Sequence, residues 1–105
     1  MVVIEQGDIW LVEEPDLKPR PCLVLTRASA APLLTSLLVV PLTRTIRRIP
    51  TEVQVGPADG VRFDSVASFD NVTTIHRAFF TRRLGQVDRN RWPEVCDAIG
   101  VAIGC

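Results

Sequence analysis

The chain has a single histidine, His76, a single lysine, Lys18, and no tyrosine. One histidine excludes an acid–base pair of two histidines within a chain. Catalysis, if present, then falls to Arg, Thr, Ser, Asp or Glu. The three cysteines, Cys22, Cys96 and Cys105, show no CxxC spacing, and no His/Cys/Asp group has zinc-ligand spacing. A glycine-rich phosphate loop and a GxSxG elbow are also missing. No basic stretch followed by an apolar one opens the chain, and no apolar run approaches the ~20 residues that span a bilayer. These absences predict a cytoplasmic protein with no metal, no cofactor and no membrane contact, its reduced thiols packed as small hydrophobes.

What is present is hydrophobic content of 47% in 105 residues, enough for one domain with one core. The formal net charge is zero, yet the charges are segregated. Residues 1–16 carry Glu5, Asp8, Glu13, Glu14 and Asp16 and no cation. Residues 17–51 carry Lys18, Arg20, Arg27, Arg44, Arg47 and Arg48 and no anion. Eleven of the twelve basic residues are arginine, the side chain suited to forked phosphate contact and base stacking. The asymmetry predicts a local anionic partner; the alternative is a solvated arginine-rich loop.

Apolar runs and breakers predict short strands at residues 8–13, Pro21–Thr26, Leu37–Leu42, Thr51–Val55, Ser65–Phe69 and Gly85–Val87. Arg27–Ser36 reads as a loop with one short helical turn, Gly56–Gly60 as a turn, and Thr73–Arg83 as a connection. At the end of the chain the period changes. Trp92, Val95, Cys96, Ile99, Ala102 and Ile103 fall on one helical face, with Asp88 or Asn90 as cap and Pro93 in the first turn. Five to seven strands and one closing helix predict a small, mostly antiparallel barrel.

The most informative stretch is Lys18-Pro19-Arg20-Pro21, which runs straight into Cys22-Leu23-Val24-Leu25. The two prolines stiffen the backbone at Arg20, as a charged side chain that must meet an anion in one orientation requires. The next apolar run, Leu37–Leu42, exits in Thr43-Arg44-Thr45, so two strands each present polar groups at an end.

Gly7-Asp8-Ile9-Trp10, Arg20-Pro21 and Val40-Pro41-Leu42-Thr43 resemble the MazF/PemK (Kid) toxin family in order and spacing. So do Ile49-Pro50-Thr51-Glu52-Val53, Asp64-Ser65-Val66 and Asp70-Asn71-Val72-Thr73-Thr74-Ile75, and the likeness covers nearly the whole chain. The resemblance implies a mostly β fold, an SH3-like antiparallel barrel with a C-terminal helix, and a homodimer. It further implies a type II toxin that cleaves single-stranded RNA at specific sequences without metal. A cognate antitoxin with an acidic or disordered tail would block it. Carried over by residue, the catalytic positions are Arg20, Thr43 and Asp70. Arg44, Thr45, Arg47, Arg48, Ser65 and Ser68 are the candidate RNA contacts. RNA cleavage suits this toolkit because the substrate's own 2′-hydroxyl is the nucleophile, leaving the protein to stabilise charge and move protons.

Two departures stand out. Ser68 occupies a position where the PemK branch carries arginine, so Arg20 is the substitute general acid; the loop Glu13–Leu17 is short, with only Glu14 or Asp16 near Arg20. Each residue also has a plainer reading. In it Arg20 is no more than the partner of Glu13, Glu14 or Asp16, Thr43 a strand-end hydroxyl and Asp70 a turn former. Of the aromatics, Phe79-Phe80 beside Arg82-Arg83 are candidates for base stacking or for a split between core and surface. The competing functions are a CcdB-like gyrase-binding toxin, disfavoured by an ending without an aromatic anchor, and a non-catalytic SH3-like interaction module.

Overall fold

The computed structural model describes residues 3–105. Its strands are β1 (Asp8–Val12), β2 (Arg20–Val24), β3 (Ser36–Thr43), β4 (Glu52–Val55), β5 (Ser65–Ser68), β6 (Thr73–His76) and β7 (Phe80–Gln86), followed by helix α1 (Trp92–Ile103). All ladders are antiparallel, in the order β4-β5-β3-β2-β1-β7, with β6 also paired to β3. The result is the small antiparallel barrel with one closing helix that the sequence predicts.

β3 organises the sheet. One edge pairs with β2 through Val39, Val40 and Pro41. Along the other edge Ser36–Val39 pair with β6, then Leu42 and Thr43 pair with β5. Thr43 therefore sits where the curled sheet changes partner.

Both faces of the central strands are buried, which is why β2 and β3 read as continuous apolar runs. Ile9, Leu23, Val40, Leu42, Val53, Ala67 and Phe69 pack on one side with Val95 and Ala98 of α1. Trp10, Val12, Cys22, Val24, Leu37, Val39, Ile75 and Phe80 pack on the other. Asp8, 3% exposed, is fully engaged: Oδ2 accepts from the Glu5 amide at 2.9 Å and the Trp10 indole at 3.1 Å, and Oδ1 pairs with Arg83 at 3.2 Å. A buried carboxylate persists only with such partners.

Two expectations are corrected. Thr73–Arg83 is not a bare connection; it contains β6 and the first half of β7. Only Ile75 is buried in β6, and Thr81, Arg82 and Arg83 are exposed, so neither strand shows an alternating pattern. Register shifts against β1 disrupt it further. On α1 the inward face is Trp92, Val95, Ala98, Ile99 and Ala102, whereas Cys96 is exposed and Ile103 is 70% exposed. Ala98, small and easily passed over, fills the position that Cys96 was expected to share. Asp88 accepts from the Asn90 amide at 2.8 Å and caps the 3-10 turn Arg89–Arg91, which leads into α1 with Pro93 in its first turn. Among the described residues no helix is long and apolar enough to cross a membrane.

Candidate functional site

Arg20 opens β2 and Thr43 closes β3. The β2–β3 pairs end at Cys22 opposite Pro41, and continuing that register places Arg20 opposite Thr43. Directly opposed residues of an antiparallel pair project to the same side. Both side chains accordingly line one open cleft of about 460 Å³ with Pro41, Leu42, Asn71, Val72 and Thr73. Its floor is rigid because prolines flank Arg20 and the strands beneath are buried.

The Arg20 guanidinium pairs with Glu14 at 3.3 Å, and its side chain is 40% exposed. The plainer reading of Arg20 is thus realised alongside its place in the cleft: Glu14 orients the fork and leaves much of it open to an anion. The Thr43 hydroxyl accepts from the Thr45 amide at 3.1 Å, so its own proton remains available to donate. Beneath them Cys22 is buried, and burial pushes its thiol up to about 12 despite the pull of the Arg20 charge. It is no nucleophile at neutral pH.

Asp70 lies in the 3-10 turn Phe69–Asn71, exposed, and its Oδ2 accepts from the Thr51 hydroxyl at 2.7 Å. It ties that turn to the start of β4, while its neighbour Asn71 reaches the cleft. The structure therefore brings Arg20 and Thr43 together and leaves Asp70 beside them, outside the cleft lining.

A second cleft of about 470 Å³ adjoins the first, because Thr43 and Leu42 line both. Arg44, Thr45, Arg62 and Phe63 form its rim. Arg44, Thr45, Arg47 and Arg48 are exposed, and the ion pairs among the described residues use Arg20, Arg83 and Arg91 but none of these three arginines. The loop that carries them is held from below. Glu52 Oε1 accepts the amides of Arg47 at 3.0 Å and Arg48 at 2.9 Å. Arg48 sits at φ 57, a left-handed conformation that a non-glycine residue keeps only when its surroundings hold it.

Ser65 and Ser68, expected as RNA contacts, are 6% and 2% exposed. Ser68 is enclosed in β5, where a side chain meets protein and not solvent. The Ser65 hydroxyl is spent on the Phe63 carbonyl at 2.9 Å. Of the Phe79-Phe80 pair, Phe80 is core and Phe79 half-buried. Sequence reasoning missed Asn71, Val72, Thr73, Arg62 and Phe63 as lining residues. An aromatic between Arg62 and Asp64, just past the Gly60 turn, was the available signal for Phe63. Among the described residues no group of three or more His, Cys, Asp or Glu side chains is placed to hold a metal ion.

Residues 5–103 match the family model described as PemK-like, MazF-like toxin of type II toxin-antitoxin system. A relative in Mycobacterium tuberculosis, named probable endoribonuclease MazF5, is 35% identical over 101 residues, covering 95% of this chain and 93% of that protein. The solved Mycobacterium tuberculosis toxin MazF-mt6 superposes with a TM-score of 0.86 at 36% identity, covering 92% of this chain and 96% of that one. A mycobacterial endoribonuclease solved in complex with its cognate antitoxin has the same fold, with a TM-score of 0.84 at 24% identity over 97% of this chain and 96% of that one.

Proposed function

Since the chain belongs to the PemK-like, MazF-like toxins of type II toxin–antitoxin systems, we propose that it is a sequence-specific endoribonuclease acting on single-stranded RNA without a metal ion. The single observation that carries this reading is Arg20 and Thr43 lining one cleft from opposed strand ends. In the reaction the 2′-oxygen of a ribose attacks the adjacent phosphorus and the bond to the 5′-oxygen breaks. The products are a 2′,3′-cyclic phosphate and a 5′-hydroxyl end.

Arg20 binds the non-bridging oxygens through its fork and stabilises the charge that gathers there, with the Thr43 hydroxyl as a further donor. The 2′-proton passes to a carboxylate, drawn from Asp70 and Glu14. Asp70 serves if RNA displaces the Thr51 bond, and Glu14 is already beside Arg20. Arg20 donates a proton to the leaving 5′-oxygen and is reprotonated from water, while the carboxylate gives up the 2′-proton to solvent. Arg44, Thr45, Arg47 and Arg48 track the RNA backbone. The relatives named endoribonuclease, and the one solved with its antitoxin, support both the activity and a cognate antitoxin as partner. A homodimer acting in the cytoplasm completes the reading.

The test is a digest of a long mixed-sequence RNA by the purified, antitoxin-free protein in excess chelator, with Arg20→Ala alongside. Fragmentation by the wild type and loss of about 10²–10³ in rate for the variant are expected. Intact RNA from folded wild-type protein overturns the proposal in favour of a toxin that acts by binding.

A further inference from the structure

Phe63 is the outlier among the aromatic side chains. Trp10, Phe69 and Phe80 are core residues, whereas Phe63 is 45% exposed on the rim of the second cleft. Two guanidiniums attend its ring. Arg44 Cζ lies 4.0 Å from the ring centroid and Arg62 Cζ 5.3 Å. Neither arginine is in an ion pair among the described residues.

The ring stands on fixed backbone. The buried Ser65 hydroxyl holds the Phe63 carbonyl at 2.9 Å, and Ser65 is itself paired in register with Val55 of β4. A large apolar face on a rigid support, covered by a movable cation, is poised for exchange. The cleft it borders shares Thr43 with the cleft of Arg20, so a nucleotide seated on the ring is next to the phosphate site.

We propose that Phe63 is a base-stacking residue of the substrate cleft and that Arg44 is its exchangeable cover. A nucleobase of single-stranded RNA takes the face that Arg44 occupies in the empty protein, and the released guanidinium turns to a neighbouring phosphate. Stacking on an aromatic ring is tolerant of base identity, because every base has a π-face, and it needs no hydrogen-bond code. This inference rests on the RNA-cleaving reading above and adds to it a place where the substrate's bases are held.

The probe is a random-sequence RNA dodecamer carrying 2′-O-methyl on every ribose, which cannot cyclise, compared with inorganic polyphosphate of matched charge. Phe63→Ala should weaken RNA binding about tenfold or more while leaving polyphosphate binding unchanged. Phe63→Trp should retain RNA affinity, with its emission quenched by RNA and not by polyphosphate. Phe63 is exposed, so thermal melts of both variants should match the wild type. Equal RNA affinity for wild type and Phe63→Ala, equal loss toward RNA and polyphosphate, or an unquenched Phe63→Trp would each overturn the stacking role alone. A wild-type protein that does not bind the RNA overturns the ribonuclease reading and the stacking role together.

Discussion

Gly85 of β7 and Gly60 meet backbone to backbone, and this contact sets the position of the Arg62-Phe63 rim. A Cβ on Gly85 would clash with the Asp59 carbonyl oxygen and lie 2.8 Å from its carbon and 2.9 Å from the Gly60 Cα. Every clashing atom is main chain, so no side chain can rotate away. The turn or the strand must move by roughly an ångström to restore normal contact, which places Gly85→Ala at the upper end of overpacking costs, about 3 kcal/mol. At about 4–8 °C per kcal/mol for a domain of this size, the melting temperature should fall by roughly 12–24 °C. Gly60→Ala should cost more, because it adds a left-handed φ of 98 to a similar clash with Leu84 and Gly85. Gly104→Ala is the internal control: φ is 80 but nothing lies within 4 Å of its Cβ, so only about 1 kcal/mol is expected. Thermal unfolding followed by circular dichroism reads all three. A Gly85→Ala protein that melts no lower than Gly104→Ala would refute the reasoning.

Other consequences follow from single side chains. Glu52→Ala removes the acceptor for the Arg47 and Arg48 amides and should cost about 1–3 kcal/mol, with faster hydrogen exchange at those two amides; unchanged protection there would contradict the clamp. In the folded protein a thiol reagent at pH 8 should label Cys96 and Cys105 and spare Cys22, and a denaturant should expose the third. The same burial makes a prediction about pH. The folded Cys22 thiol keeps its proton to about 12 whereas the unfolded one releases it near 9.0, so the thiol's contribution is intact below 9.0 and is lost between those values. Cys22→Val should flatten that part of the stability profile. Arg20→Ala should change stability by less than about 1 kcal/mol, since its pair with Glu14 is partly exposed, while slowing RNA cleavage by about 10²–10³.

The barrel was largely legible because its central strands are apolar on both faces and bounded by proline and glycine, signals that survive without tertiary information. β6 and most of β7 were hidden for the opposite reason: backbone pairing with β3 and β1 makes them strands while their side chains stay in water. In α1 the spacing of Trp92, Val95 and Ile99 marked the buried face, but helical periodicity could not rank Ala98 above Cys96 at its margin. Arg20 and Thr43 were readable as residues at strand ends, and register then explains why they meet. The enclosure of Ser68 was not readable, since a serine in an exposed strand and one sealed inside look alike in sequence. Asp70 and Thr51 are 19 positions apart, and only the fold reveals their hydrogen bond.

The chemistry of the cut ends tests the central claim most directly. RNA fragments made by the protein in excess chelator would be offered to polynucleotide kinase without prior phosphatase treatment. Attack by the 2′-hydroxyl at the Arg20–Thr43 cleft predicts 5′-hydroxyl ends that accept label at once, paired with cyclic phosphates on the 3′ side. Fragments carrying 5′-phosphates, or identical cutting by Arg20→Ala, would contradict it.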